Sequence, residues 1–293
     1  MRILLTGAYG QLGRCLLDRF PAGWVMLACG SAELDITDRP AVDRIVRRFR
    51  PQVIMNAAAY TAVDKAEIDR IRAMKVNALG PENLARAARE AGAQLIHIST
   101  DYVFDGGRSA PYSESDLPCP INFYGLSKWE GEKRVQAMLP QAIVIRSSWV
   151  FSEYGGNFVK TMLRLAQSQE TIRVVDDQRG CPTYAGDLAA MMIRLASDAT
   201  AAGIYHYSGD KAVSWYEFAQ TIFGHFQALT GNPALSRLQP VSSRHYPQAA
   251  PRPASAVLGS LRQADAAPGD WQRALSRLAE LLIQENARYP NVI

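Results

Sequence analysis

Short apolar runs separated by amphipathic stretches dominate the first 150 residues of this chain. Ile3-Leu4-Leu5, Trp24-Val25-Met26-Leu27-Ala28, Val53-Ile54-Met55, Leu95-Ile96-His97-Ile98 and Ile143-Val144-Ile145 each read as a strand. Between the first two, Leu12, Leu16, Leu17 and Phe20 recur at helical spacing. After the second, Asp38 or Thr37 caps a helix with Pro40 in its first turn and apolar positions at Val42, Ile45, Val46 and Phe49. Strands apolar on both faces, alternating with helices, predict a parallel sheet covered on both sides. Right-handed crossovers make that an α/β, doubly wound fold of the Rossmann type.

Beyond residue 150 the pattern loosens. Helices are predicted over 158–167, 185–196 and 215–226, and strands over 172–175 and 204–207. The stretch 242–253 reads as a loop punctuated by Pro247, Pro251 and Pro253. Asp270 then caps a last amphipathic helix bearing Leu275, Leu278, Leu281 and Leu282, a stripe that reads as core or interface. The expected organisation is a sheet domain over 1–150 and a smaller lobe over 151–293, from which some segments return to the sheet. Such a lobe lies over the carboxyl edge of the strands, where ligands of these folds bind.

Composition narrows the class. The 293 residues bury enough core to need no staple, and no apolar run approaches the roughly 20 residues of a membrane span. The start gives out after three apolar residues, so no signal peptide is read there and a cytoplasmic protein is expected. Net charge is +4, and 26 of the 32 basic residues are Arg, dispersed rather than clustered among aromatics. Nucleic acid is therefore not an expected partner. Cys15, Cys29, Cys119 and Cys181 form no C-x-x-C pair and the four histidines no ligand spacing, so no metal is expected. His97, inside a predicted central strand, reads as a hydrogen-bonded core residue. Asp176 and Asp177 read as turn caps rather than a catalytic pair.

The chemistry begins at Thr6-Gly7-Ala8-Tyr9-Gly10-Gln11-Leu12-Gly13, which follows the first strand and opens the first helix. Glycines in such a turn let a pyrophosphate approach the helix N-terminus, although the spacing is G-x-x-G-x-x-G rather than G-x-G-x-x-G. The acidic residue that usually meets the adenosine ribose belongs at the end of the second strand. Cys29-Gly30-Ser31 stands there, with no carboxylate to repel a 2′-phosphate and with a hydroxyl on Ser31. The reading leans to NADPH, or to use of both NADPH and NADH.

Tyr124 and Lys128 are four residues apart, on one helix face. An ammonium beside a phenol favours the phenolate, so a lowered Tyr124 pKa is expected. Such a tyrosine hands a proton to a carbonyl oxygen as hydride reaches the carbon. Ser99-Thr100-Asp101, ending a strand some 24 residues earlier, supplies a hydroxyl for the same carbonyl. Tyr124, Lys128 and Thr100 are the candidate catalytic set.

These pieces stand in the order of a known family. The glycine turn, Asn56-Ala57-Ala58-Ala59-Tyr60-Thr61, Ser99 to Phe104, Tyr124-x-x-x-Lys128 and Arg146-Ser147-Ser148-Trp149-Val150 resemble the extended short-chain dehydrogenase/reductases. The likeness runs over nearly the whole chain, with Thr61 to Glu67, Asn157 to Met162 and Asp177 to Thr183 among its specific stretches. It implies reduction by NAD(P)H of the 4-keto group of dTDP-4-dehydro-L-rhamnose to dTDP-L-rhamnose, with Tyr124 as proton donor. Gly7 and Gly13 of the turn are cofactor-binding candidates, and the resemblance puts Gly10, Gln11 and Leu12 under the pyrophosphate, Asp35 and Ile36 beside the adenine, and Ala59, Tyr60 and Thr61 toward the nicotinamide. Lys128 bonds the nicotinamide ribose. Thr100, Asp101 and Trp149 contact the nucleotide sugar, and Arg252 its diphosphate.

Two departures stand out. The late Arg-Pro-x-x-Ser-x-Leu pattern of the family has Ala256 at its serine, and Arg14-Cys15 replaces an acidic residue with which some relatives bridge a dimer through metal. A monomer or a homodimer is expected, without metal. An epimerase or dehydratase on the same scaffold, and a non-catalytic nucleotide-binding regulatory subunit, remain as alternative readings.

Overall fold

The computed structural model describes residues 1–231, 236–262 and 267–288, so the end of the expected second lobe lies outside the described residues. β1 (Arg2–Thr6) leads through the glycine turn to α1 (Gln11–Asp18), and β2 (Val25–Cys29) to α2 (Arg39–Phe49). Asp38 caps α2, accepting from Ala41 N at 3.1 Å, and Pro40 occupies the first turn, where its missing N–H leaves no bond unmade. β3 (Val53–Asn56) is followed by two short helices, α3 (Val63–Ala66) and α4 (Arg70–Met74), a π-turn at Lys75–Leu79 and α5 (Gly80–Ala91). β4 (Gln94–Thr100) ends in a 3-10 turn, Asp101–Val103; α6 (Phe123–Met138) and β5 (Ile143–Ser147) close this half.

The second half is more broken. It runs β6 (Val150–Phe151), α7 (Phe158–Ala166), β7 (Thr171–Val175), β8 (Arg179–Gly180), β9 (Thr183–Tyr184), α8 (Ala185–Ala196) and β10 (Gly203–His206). β11 (Val213–Ser214), α9 (Trp215–Thr230), β12 (Arg237–Val241) and α10 (Trp271–Arg288) follow. Ser214 and Glu217 form a reciprocal capping box at the start of α9. Asp270 accepts from Arg273 N at 2.9 Å ahead of α10.

Six parallel strands form the main sheet in the order β10-β5-β4-β3-β1-β2. Alternation along each strand divides the core. Ile3, Leu5, Met55 and Ile145 pack under α1 and α8, whereas Leu4, Ile54, Leu95 and Val144 pack under α2, α5 and α6. One expectation changes here: the run at 204–207, read as a strand of the second lobe, is β10 of the main sheet. Ile204 pairs with Val144 and Tyr205 with Ile145, and Tyr205 is buried in the α1–α8 face. Its partner lies some 60 residues upstream, so no local pattern marks the pairing.

A third core fills the remaining lobe. Phe151, Phe158, Phe218 and Trp271 interlock there, with Leu275, Leu278 and Leu282 of α10 buried beside them and Leu281 turned outward. Among the described residues no helix is long and apolar enough to cross a membrane. The sheet order reverses direction between β1 and β3, which opens a crevice at the carboxyl ends of the strands.

Candidate active site

The glycine turn borders that crevice. Gly7 has φ +70°, and a Cβ there would come within 2.5 Å of the Ala57–Ala58 backbone; a Cβ on Gly13 would meet the Gly7 carbonyl at 2.2 Å. Both glycines are therefore needed for the turn itself. Gly10 is the N-cap of α1 and brings no side chain to its first N–H groups, so the positive end of the helix dipole faces the crevice. These features fit the pyrophosphate of a dinucleotide.

A cavity of about 480 Å³ opens from this turn. Gly10, Gln11, Leu12, Ala59, Thr61, Thr100, Asp101, Tyr124, Lys128 and Trp149, all expected at the site, line it together. Ser99, Ser147, Gly155, Gly156 and Leu188 line it too, and were not foreseen. The Ser99 Oγ, Ser147 Oγ and Asp101 Oδ2 atoms are buried and make no hydrogen bond within the protein. A buried polar atom left so is costly unless a ligand meets it.

α6 carries Tyr124 and Lys128 into the cavity. Its start is fixed twice: Asn122 Oδ1 accepts from Gly125 N at 2.8 Å, and Glu67 Oε1 accepts from Phe123 N at 2.8 Å. One turn beyond Lys128, buried Glu132 receives the guanidinium of Arg146 on β5, with Nε and Nη2 donating at 3.0 and 2.7 Å. His206 Nδ1 faces the carbonyls of Tyr112 and Gly259, and its Nε2 faces Arg146 Nη1. The ring is therefore neutral, protonated on Nδ1.

The expected lowering of Tyr124 is corrected. Burial pushes its phenol up to about 12, outweighing a contact with Thr100 that favours the phenolate. The Lys128 ammonium donates to the Ile98 carbonyl at 2.5 Å. Its own pKa is pulled down to about 8 by burial, against the pull of Glu132. Thr100 Oγ1 donates to Asp101 Oδ1 at 3.0 Å and accepts from Tyr102 N at 3.2 Å. Burial raises Asp101 to about 7. His97 is a core residue, as expected, accepting on Nδ1 from Asn56 Nδ2 at 2.9 Å. Asp177 holds the turn at Ser242–Ser243, and Asp176 accepts from Ser214 Oγ at 2.5 Å, so the two carboxylates serve separate structural bonds.

Trp149 stands in left-handed backbone (φ +46°) and stacks on Trp215 with ring centres 3.5 Å apart. Trp215 also lines a neighbouring cavity of about 290 Å³ with Tyr102, Arg173, Gln178, Tyr246 and Arg252. Arg252 thus sits in this second cavity, and Asp64 grips its guanidinium from the side at 2.9 and 2.8 Å.

Several expected contacts lie outside both cavities. Asp35 accepts from Thr37 N, Ile36 is buried, and Ser31 is exposed past the end of β2. Tyr60 is pinned by Asn77 of the π-turn, whose amide accepts from Tyr60 N and donates to Tyr60 O at 2.8 and 3.0 Å. A carboxylate does reach the end of β2, where none was expected. Glu33 folds back across a tight turn, and its Oε2 accepts from Gly30 N at 2.9 Å.

The sequence agrees with this geometry. Residues 1–283 match the family described as RmlD substrate binding domain. The chain belongs to that family. It is 43% identical over 287 residues to the dTDP-4-dehydrorhamnose reductase of Aggregatibacter actinomycetemcomitans, covering 94% of this chain and 98% of that one. Among solved structures, the dTDP-4-dehydrorhamnose reductase of Bacillus anthracis in complex with NADP superposes with a TM-score of 0.89. It is 38% identical, over 97% of this chain and 99% of that one. A dTDP-4-dehydrorhamnose reductase ortholog of Clostridium acetobutylicum gives a TM-score of 0.91 at 37% identity, over 97% and 100%.

Proposed function

We propose that this RmlD-family chain is a dTDP-4-dehydrorhamnose reductase that uses NADPH, and NADH less well, to reduce dTDP-4-dehydro-L-rhamnose to dTDP-L-rhamnose. The observation that carries the reading is the single cavity in which Thr100, Tyr124 and Lys128 meet the open N-terminus of α1. The relatives named above share that activity by name, and the Bacillus anthracis protein holds NADP. In this reading residues 1–150, with α8 and β10 returning to the sheet, hold the dinucleotide. The remaining lobe, with Trp149, Trp215 and Arg252 at its edge, takes the nucleotide sugar.

NADPH, when bound, supplies the hydride. Gly10, Gln11 and Leu12 hold its pyrophosphate, and Ala59 and Thr61 line the way to the nicotinamide. As negative charge grows on the ketone oxygen, Tyr124 gives that oxygen a proton. A phenol held near 12 is fully protonated at neutral pH, and an alkoxide is basic enough to take its proton. Lys128 keeps two N–H groups free after bonding Ile98, and its charge steadies the phenolate left behind. Thr100 helps hold the ketone once its hydroxyl turns from Asp101.

Tyr124→Phe tests the assignment. It keeps the ring and loses the proton, so kcat for the keto-sugar should fall by about 100-fold or more while NADPH still binds in a fluorescence titration. Unchanged turnover in that variant sinks the assignment.

A further inference from the structure

The segment Thr61 to Glu67 is specific in sequence, yet only its first residue touches the cavity that holds Tyr124. Its two carboxylates point in different directions. Glu67 fastens the first N–H of the catalytic helix, at Phe123. Asp64, on the short helix ahead of it, reaches a loop 186–188 residues further along the chain: Oδ1 accepts from Ala250 N at 3.0 Å and from Arg252 Nη1 at 2.9 Å, and Oδ2 accepts from Arg252 Nη2 at 2.8 Å.

The same loop is held from a second direction. Asn122, whose Oδ1 caps α6, donates through Nδ2 to the Pro251 carbonyl at 2.9 Å. Residues 250, 251 and 252 are thus each bonded to the entrance of α6 or to the helix beside it. Arg252 Nη1 also donates to the Ala250 carbonyl at 2.7 Å, which leaves Nε–H and one Nη2–H of its five donors outside these bonds, on the side of the guanidinium that meets the Tyr102 hydroxyl. The Arg252 side chain is only 10% exposed, and it lines the cavity of Tyr102, Gln178 and Trp215.

We infer that Asp64 and Asn122 are positioning residues: they clasp the 250–252 loop to the catalytic helix, so that Arg252 presents its remaining donors to the diphosphate of the nucleotide sugar at a fixed distance from Tyr124. The inference rests on the reductase reading for the identity of that anion. A guanidinium gripped along one edge by a carboxylate cannot swing, and a fixed fork suits a phosphate better than a mobile one. The clasp also explains why a carboxylate is tolerated beside an anion site: both its oxygens are spent on Arg252 and Ala250. Asp64 is held below the usual carboxylate range chiefly by its bonds from Arg252, so the grip stays charged through neutral pH.

The test uses the full chain with dTDP alone, by calorimetry, and then with NADPH and dTDP-4-dehydro-L-rhamnose. Asp64→Asn keeps the shape and an acceptor for Ala250 N, and removes the charge. Asn122→Ser keeps a helix cap and removes the bond to Pro251. Each should weaken dTDP binding and raise the KM for the sugar about tenfold, with a far smaller change in kcat and none in the KM for NADPH. In an Arg252→Ala background Asp64→Asn should add little, because its target is gone.

Equal dTDP binding by wild type and Asp64→Asn, or the same tenfold penalty with Arg252 already removed, overturns the inference. So does a KM for NADPH that rises in step with that for the sugar. If the wild type binds dTDP, the variants lose it and no keto-sugar is reduced, the clasp stands and the reductase reading falls.

Discussion

The two sides of the crevice are built on different principles. On one side, β1, β3, β4 and β5 place Asn56, Thr100 and Ser147 at strand ends by backbone register, and the charged contacts are sealed: Glu132 and Arg146 side chains are each 2% exposed. On the other, the strands nearest the crevice, β6, β8 and β9, are two residues long, and position comes from side chains, the Trp149–Trp215 stack and the half-exposed Asp64 carboxylate on Arg252. Hydride and proton transfer need atoms fixed to fractions of an ångström, which a sheet supplies. A flexible nucleotide sugar needs a surface that closes on it, which aromatic faces and a clasped loop supply. In the proposed reading, that difference divides the labour between the sides.

Three variants probe that division, beginning with the largest effect. Glu132→Ala leaves the Arg146 charge buried without its partner, and should cost about 3–5 kcal/mol in urea unfolding. It should also abolish activity, because α6 loses its tie to β5. A loss under about 1 kcal/mol would mean that the sealed pair does not organise the sheet side. Trp215→Ala, across the crevice, removes a stacked partner worth about 0.5–1.5 kcal/mol beyond its buried area. It should raise the KM for the sugar and leave that for NADPH alone; a shift in both would erase the proposed boundary.

Glu33→Gln is the mildest. The amide still accepts from Gly30 N, but the negative charge at the end of β2 is gone. The ratio of kcat/KM for NADPH over NADH should rise about threefold, as fits an exposed charge pair. An unchanged ratio would show that the Glu33 carboxylate does not face the 2′-phosphate.

Much of the sheet side was legible in the sequence. Ile54, Leu95 and Val144 belong to short runs apolar on both faces, and burial of such runs in a parallel sheet follows from their pattern. The Tyr124–Lys128 spacing read directly as one helix face. What stayed hidden depends on contacts between distant residues. β10 has no local sign of its register with β5, and the Asp64–Arg252 pair spans 188 residues. The pKa of Tyr124 went the wrong way for a similar reason: the sequence shows the neighbouring ammonium but not the depth of burial. Glu33 escaped because a turn at Gly30 brings its side chain back to a strand end it does not occupy in sequence.

Cysteine placement carries a practical consequence. Of the four thiols, Cys15, Cys29 and Cys181 are buried and held above their ordinary range by that burial. Cys119 alone is exposed, three residues before the Asn122 cap and anchored by its N–H to the Val103 carbonyl at 2.8 Å. A maleimide dye added to the unmutated chain is expected to attach there, in the segment that leads into α6. A change in its emission on adding dTDP would report binding at the start of α6 without any turnover.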